Sequence, residues 1–255
     1  MTVSSSLRAA LWTLLCAVAL FCGPARAQQP VCPPDAVTVT TTPEPALTSD
    51  LLADLRQSAE KAAETNPDLL VLGDSIARDW PVPDLEAALG SKSALNLGFW
   101  TDRIQNTLWR VLALNGVAPD ARLIVVLVGT NNLIQDEPPC AIPPGIRNLV
   151  LKIRETWKAA DVVVLGILPR GHRFEFRAAD RLKVNEEMRA TLSDIPRVAY
   201  VDGDEIACAS IGADDGYWQA HQNGCAHYSD DLLHLLPAGY EILNRLIAQH
   251  WGRLD

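Results

Sequence analysis

The sequence predicts an α/β protein with a five-stranded parallel sheet in a single domain. Three observations carry this. Strand-like and helix-like segments alternate along the chain, the pattern of parallel strands joined by helical crossovers. The runs Leu123–Val128 and Val162–Leu168 are apolar almost throughout, as central strands covered on both faces require. The composition, 48% hydrophobic and 21% charged over 255 residues, is that of a globular chain long enough to bury a core.

The first 27 residues stand apart from that domain. Arg8 supplies a positive start, Ala9 to Cys22 is apolar but for Thr13, Gly23-Pro24 breaks the run, and Ala25-Arg26-Ala27 fits small-x-small cleavage. The 14-residue run is short of the roughly 20 residues of a membrane span. Residues 1–27 therefore read as a signal peptide, with an uncleaved anchor as the alternative. The expectation is a secreted or periplasmic protein with no stable membrane insertion once the signal is removed. The formal charge of −9 becomes −11 when Arg8 and Arg26 leave with that segment. So acidic a chain disfavours nucleic acid or an anionic membrane as partner.

Cys16 and Cys22 belong to the signal. Cys32, Cys140, Cys208 and Cys225 remain, an even number that implies two disulfides in an exported chain. Three pairings are possible. Cys208–Cys225 is the natural local loop, worth roughly 3 kcal/mol by chain entropy; Cys32–Cys140 would then tie the N-terminal arm to the body. His221, Cys225 and His227 are close in sequence, but their spacing fits no familiar zinc pattern. Disulfide plus surface histidines is the preferred reading, with no metal.

Residues 28–47, rich in Pro and Thr, read as an extended arm, and 48–255 as the body. Ser49 can cap a first helix whose apolar face is Leu51, Leu52, Leu55, Ala59, Ala62 and Ala63. The first strand is Leu69–Gly73, an apolar run closed by a turn signal. A Pro-broken segment with a short helix near Leu85–Leu89 follows, then a second strand at Ala94–Gly98. Ile104, Leu108, Val111 and Leu112 keep helical spacing. The third strand, Leu123–Val128, ends in Gly129-Thr130-Asn131-Asn132. Pro138–Gly145 reads as a loop, and Ile146, Leu149, Val150, Ile153 and Trp157 mark the next helix. Val162–Leu168 is the fourth strand, Ala178–Leu192 a helix and Val198–Asp202 the fifth strand. Gly203–Asp230 is polar and irregular, and Pro237 opens the last helix. The sequence holds no internal repeat. No G-x-G-x-x-G follows the first strand, which disfavours a dinucleotide fold.

Ligands of open α/β sheets collect beyond the carboxyl ends of the strands. Ser75, in Gly73-Asp74-Ser75, stands there. It is either a plain helix cap or a nucleophile. Acyl transfer from serine needs a base, an acid to orient it and donors for the developing oxyanion. His234 is the candidate base. Of five histidines it alone has a carboxylate, Asp231, three residues earlier with a helix start just after. At three apart in a helical turn the two would share a face. Histidine is the side chain whose unperturbed titration suits a base at neutral pH. The candidate oxyanion donors are the backbone N–H groups of Ser75 and Gly98 and the Asn131 amide, all just past strands. Each has a bland alternative: Gly98 as a strand-end turn, Asn131 as an Asx-turn, Asp231–His234 as a surface pair. Their joint placement at one sheet edge favours the chemical reading. Arg170 reads as a salt-bridge residue or a contact to an anionic substrate.

Gly73-Asp74-Ser75, Gly98, Gly129-Thr130-Asn131 and Asp231-x-x-His234 resemble the four blocks of the SGNH (GDSL) hydrolases. The resemblance implies a flavodoxin-like three-layer sandwich and a serine esterase. Ser75 would be the nucleophile, His234 the base and Asp231 the acid, with Ser75, Gly98 and Asn131 forming the oxyanion hole. Asn96-Leu97-Gly98, Asp102, Leu108-Trp109-Arg110, Val128–Asn132 and Leu165–Gly171 are similar to the intracellular platelet-activating-factor acetylhydrolase catalytic subunits, from about Val71 to Tyr240. Between Gly98 and Asp102 that branch has a glycine pair where this chain has Trp100-Thr101, so the acyl pocket is expected to differ. Tyr217 and Trp218 are placed in one wall of the site, either for sugar stacking or as packing. The expected activity is hydrolysis of short acyl esters, acetyl first, on a small molecule, carbohydrate or lipid, with no cofactor. A lysophospholipase or thioesterase is the first alternative. A non-catalytic carbohydrate-binding protein is the alternative of another class.

Overall fold

The computed structural model describes residues 32–45, 51–118, 120–208 and 225–251. The proposed signal segment and the residues Tyr217, Trp218 and His221 lie outside the described residues.

Five strands form one parallel sheet in the order β2-β1-β3-β4-β5. They are β1 (Leu69–Gly73), β2 (Ala94–Asn96), β3 (Leu123–Leu127), β4 (Asp161–Leu165) and β5 (Val198–Val201). Nine helices are described: α1 (Pro34–Thr41), α2 (Leu51–Thr65), α3 (Ser75–Arg78), α4 (Val82–Leu89), α5 (Ile104–Ala113), α6 (Thr130–Ile134), α7 (Ile142–Thr156), α8 (Ala178–Leu192) and α9 (Pro237–Trp251). The α/β class, the parallel sheet and the single domain are as the alternation predicted.

The apolar runs are explained by two-sided burial. Leu70, Leu72, Ile124, Val126, Val162 and Val164 pack with α2, α5, α7 and α8. Leu69, Val71, Leu123, Val125, Val163 and Leu165 pack with α4 and α9 on the other face. Successive residues of a strand point to opposite faces, so a strand covered on both sides needs apolar residues throughout.

Two segments depart from the reading of the sequence. The arm is not extended where it is described: Pro34–Thr41 is a helix. Proline suits the first helical turn. Thr38 and Thr41 hydroxyls donate to carbonyls one turn back, on Pro34 and Val37. Thr40 is buried against Gly145 and donates to the Ala141 carbonyl. The Cys32–Cys140 disulfide anchors the same segment. Tertiary contact thus overrides the weak helix propensity of a Thr/Val-rich run. In Pro138–Gly145, read as a loop, a single 3₁₀ turn at Pro139–Ala141 runs directly into α7, with Pro143 and Pro144 in its first turn.

The strand order sets the position of the site. From β1 the chain passes to β2 on one side and then to β3 on the other. The carboxyl ends of β1 and β3 are therefore the point where the winding reverses, which is where open α/β sheets place their ligands. The segments that leave those two strands carry Ser75 and Asn131.

Candidate active site

Gly73 makes the turn out of β1. Its φ is +148°, and a Cβ there would lie 1.9 Å from the Leu127 carbonyl oxygen on β3, so only glycine fits. Asp74 caps α3, its carboxylate accepting the Ile76 N–H at 3.0 Å. Ser75 is the first residue of α3, so its own N–H has no acceptor within the helix.

His234 Nε2 lies 2.9 Å from Ser75 Oγ, and Nδ1 lies 2.5 Å from Asp231 Oδ2. With Nδ1 protonated toward the carboxylate, Nε2 accepts the serine hydroxyl proton. Asp231 Oδ1 accepts three more donors: Ser229 Oγ at 2.6 Å, Leu233 N–H at 3.0 Å and His234 N–H at 2.9 Å. Burial alone would raise the Asp231 carboxyl, but the bonds from Ser229, His234 and the two backbone N–H groups outweigh it and bring it down to about 2. It is therefore an anion at neutral pH, able to steady an imidazolium.

No helical face joins Asp231 to His234. They sit on a tight loop in which Leu232 takes φ +51° and Ser229 N–H donates to the His234 carbonyl. A lone antiparallel bridge pairs Tyr228 with Leu235. The Asp231 carboxylate, by accepting the N–H groups two and three residues on, builds the turn that aims the ring. The loop is fastened to the segment that follows β4: Gly171 N–H donates to the Leu232 carbonyl, and Tyr228 OH to the Pro169 carbonyl at 2.6 Å.

Asn131, in the first turn of α6, donates one amide hydrogen to the Asp102 carbonyl at 2.9 Å. Its Nδ2 carries a second hydrogen. Gly98 stands differently from the expectation. Its N–H donates to Asn96 Oδ1 at 2.9 Å, so that donor is already engaged. What Gly98 supplies is close approach, because a Cβ there would meet Arg78 N at 2.3 Å. It lets the strand-end backbone lie directly on α3.

Trp100 is 43% exposed, with its ring centroid 5.6 Å from that of His234 and the Arg78 guanidinium 5.1 Å above it. An indole thus stands beside the candidate base. The next residue, Thr101, has φ +62°, a conformation that favours glycine. Arg170 donates to Thr130 Oγ1 at 3.2 Å and lies 4.1 Å over the Phe176 ring, while the Asp231 and Asp74 carboxylates attract it from further away. Cys225 is committed to a disulfide with Cys208, and His227 Nδ1 lies 2.8 Å from the Ile206 carbonyl and 3.5 Å from Cys208 Sγ. Sequence reading missed Asp74 and the carbonyl of Asp102 as working parts. An acid between Gly73 and Ser75 was the one available signal for Asp74. Nothing local signals that the Asp102 carbonyl meets Asn131.

Asp74 has a testable consequence. Burial pushes its carboxyl up to about 7; Ile76 and Ala77 N–H groups and Arg170 oppose this, and Asp102 adds to it. Unfolded, the same group ionises near 3.8. Between those values the unfolded chain releases a proton that the native chain holds, so stability present below pH 3.8 is lost as pH rises toward 7. Asn caps a helix as well as Asp does and does not titrate. Asp74→Asn is therefore expected to melt relatively higher than the parent at pH 8 than at pH 4. Equal differences at both pH values in thermal melts would contradict the assignment.

A parallel α/β sheet with serine, histidine and aspartate hydrogen-bonded in series at its carboxyl edge has the architecture of a serine hydrolase. The chain belongs to the GDSL-like lipase/acylhydrolase family, whose model matches residues 71–242, and it is an esterase of the acylhydrolase type. It is 34% identical over 204 residues to platelet-activating factor acetylhydrolase IB subunit alpha1 of Homo sapiens, covering 74% of this chain and 81% of that one. Among solved structures, a GDSL-like lipase from Bacteroides thetaiotaomicron superposes with a TM-score of 0.58 at 16% identity, over 80% of this chain and 99% of that one. An acetyl esterase S10A mutant with acetate ion superposes with a TM-score of 0.52 at 13% identity, over 71% and 94%. At such identities the two structures speak for the fold.

Proposed function

We propose that this chain is an exported esterase that removes short acyl groups, acetyl above all, from small-molecule or carbohydrate esters. The carrying observation is the series Asp231–His234–Ser75, whose two links measure 2.5 and 2.9 Å. Ser75 Oγ attacks the ester carbonyl while its proton passes to His234 Nε2. The oxygen that becomes negative is received by the Ser75 N–H and the second amide hydrogen of Asn131. The intermediate collapses, the C–O bond to the alcohol breaks, and His234 returns the proton to the departing oxygen. Water, deprotonated by His234, then releases the acid and restores Ser75. In this reading Gly98 shapes the hole without donating to it.

Two observations favour a short acyl group. The relative in Homo sapiens is by name an acetylhydrolase. The Trp100 indole beside His234 takes up room at the mouth. Export rests on the signal-like residues 1–27, and the two disulfides of the structure agree with it. Turnover of p-nitrophenyl esters from acetate to octanoate tests the acyl length, with kcat/KM expected to fall steadily along the series. A flat or rising profile would replace this reading with a lysophospholipase or thioesterase. The N-terminal mass of the same preparation, purified from the exported fraction, is expected to place Gln28 first. An intact Met1 there contradicts cleavage.

A further inference from the structure

Asn131 can serve an oxyanion only if its free hydrogen points the right way. Among the described residues its amide is anchored on the Asp102 carbonyl, at 2.9 Å. What holds Asp102 therefore decides where the amide points. The Asp102 side chain is wholly buried and paired with Arg110, itself 1% exposed. Arg110 grips it with both faces of the fork, Nε at 3.1 Å and Nη2 at 2.9 and 3.0 Å, and Thr107 Oγ1 adds a bond at 3.3 Å. The guanidinium lies 4.2 Å over the Phe99 ring, and Phe99 N–H donates to the Gly73 carbonyl at 3.0 Å, two residues before Ser75. The backbone from Phe99 to Asp102 is thus fastened at one end to the Ser75 turn and at the other to a buried ion pair.

A second fastening joins the same two segments. Asn132, beside Asn131, accepts the Ile104 N–H at 3.1 Å and donates to Gln105 Oε1 at 3.0 Å and Glu137 Oε2 at 2.6 Å. The β2–α5 loop and α6 are therefore held in one register. Burying an ion pair is a poor way to gain stability, since apolar residues of the same volume do as well or better. A fixed geometry is what the pair does supply.

We propose that Asp102 and Arg110 are positioning residues that aim the Asn131 amide at the oxyanion, acting through the Asp102 backbone carbonyl. The inference rests on the esterase reading above. A misplacement of about 1 Å at a reacting centre can cost about 100-fold in rate.

The experiment is a double-mutant cycle on p-nitrophenyl acetate hydrolysis with Asp102→Asn, Asn131→Ala and both together. Asp102→Asn keeps the carbonyl and the side-chain volume and weakens the grip of Arg110. It is expected to lower kcat between about 10- and 100-fold with KM within about twofold. In the Asn131→Ala background the same change is expected to cost less than about twofold, because the amide it aimed is gone. A purely structural role would lower kcat by the same factor in both backgrounds, and that result overturns the inference. So does unchanged kcat in folded Asp102→Asn. If Asn131→Ala itself leaves kcat unchanged, the oxyanion role of Asn131 fails, and the positioning role falls with it. If Asp102→Asn does not fold, Arg110→Lys, which replaces the fork by a point charge, is carried through the same cycle with the same criteria.

Discussion

Ser75→Ala is expected to lower kcat for p-nitrophenyl acetate by about 10⁴-fold or more while the protein stays folded. The size follows from the chemistry. Among the described residues the hydroxyl is the oxygen that His234 Nε2 meets, so its loss removes covalent catalysis and leaves only the oxyanion donors and substrate binding. Folding should survive because that hydroxyl is a cap for nothing: Asp74 caps α3, and the α3 backbone is unaffected by losing one Oγ. The measurement is steady-state hydrolysis beside a thermal melt, with labelling by a serine-directed phosphonate read by mass. Equal turnover by the variant and the parent would end the serine mechanism. Retained labelling in the variant would mean that another nucleophile is at work.

Asn131→Ala comes next in size. Removing one oxyanion donor costs about 3–4 kcal/mol of barrier, or about 10²–10³-fold in kcat. KM for a small ester should change little, since the amide gains its charged partner only as the tetrahedral intermediate forms. A variant that raises KM and spares kcat would show that Asn131 binds the ground state instead. The Asp102 carbonyl, which the amide now satisfies, is left open by the change. Some loss of stability is expected alongside the kinetic effect, and the melt separates the two.

Much of the fold could be read along the chain because it is written in local patterns. Each central strand appears as four or more apolar residues in a row, since residues such as Leu70 and Val71 face opposite sides and both sides are covered. Where local pattern and tertiary contact disagree, the reading failed. The helix Pro34–Thr41 has no strong periodicity of its own, and exists because a disulfide and the Thr40 contact to α7 hold it. The Asp231–His234 pair meets through a turn and not through the helical face that its spacing suggests. Three-residue spacing can bring a carboxylate to an imidazole through a helix or through a turn that the carboxylate itself caps, and spacing alone does not separate them. Here the turn prevails, at the cost of a left-handed Leu232.

Residue types, spacing and alternation by themselves determined the parallel α/β class and the strands, and the motif blocks carried the resemblance to the family. Only the tertiary structure decided that the Gly98 N–H is spent on Asn96, that Trp100 stands against His234, and that the Asn131 amide hangs on a carbonyl backed by a buried ion pair. The physical reason is range. A strand or a helix is set by neighbours a few positions away, whereas Ser75 meets His234 across 159 positions and Asn131 meets Asp102 across 29. Which hydrogen of an amide is free depends on where the other one goes, and that partner is chosen by packing.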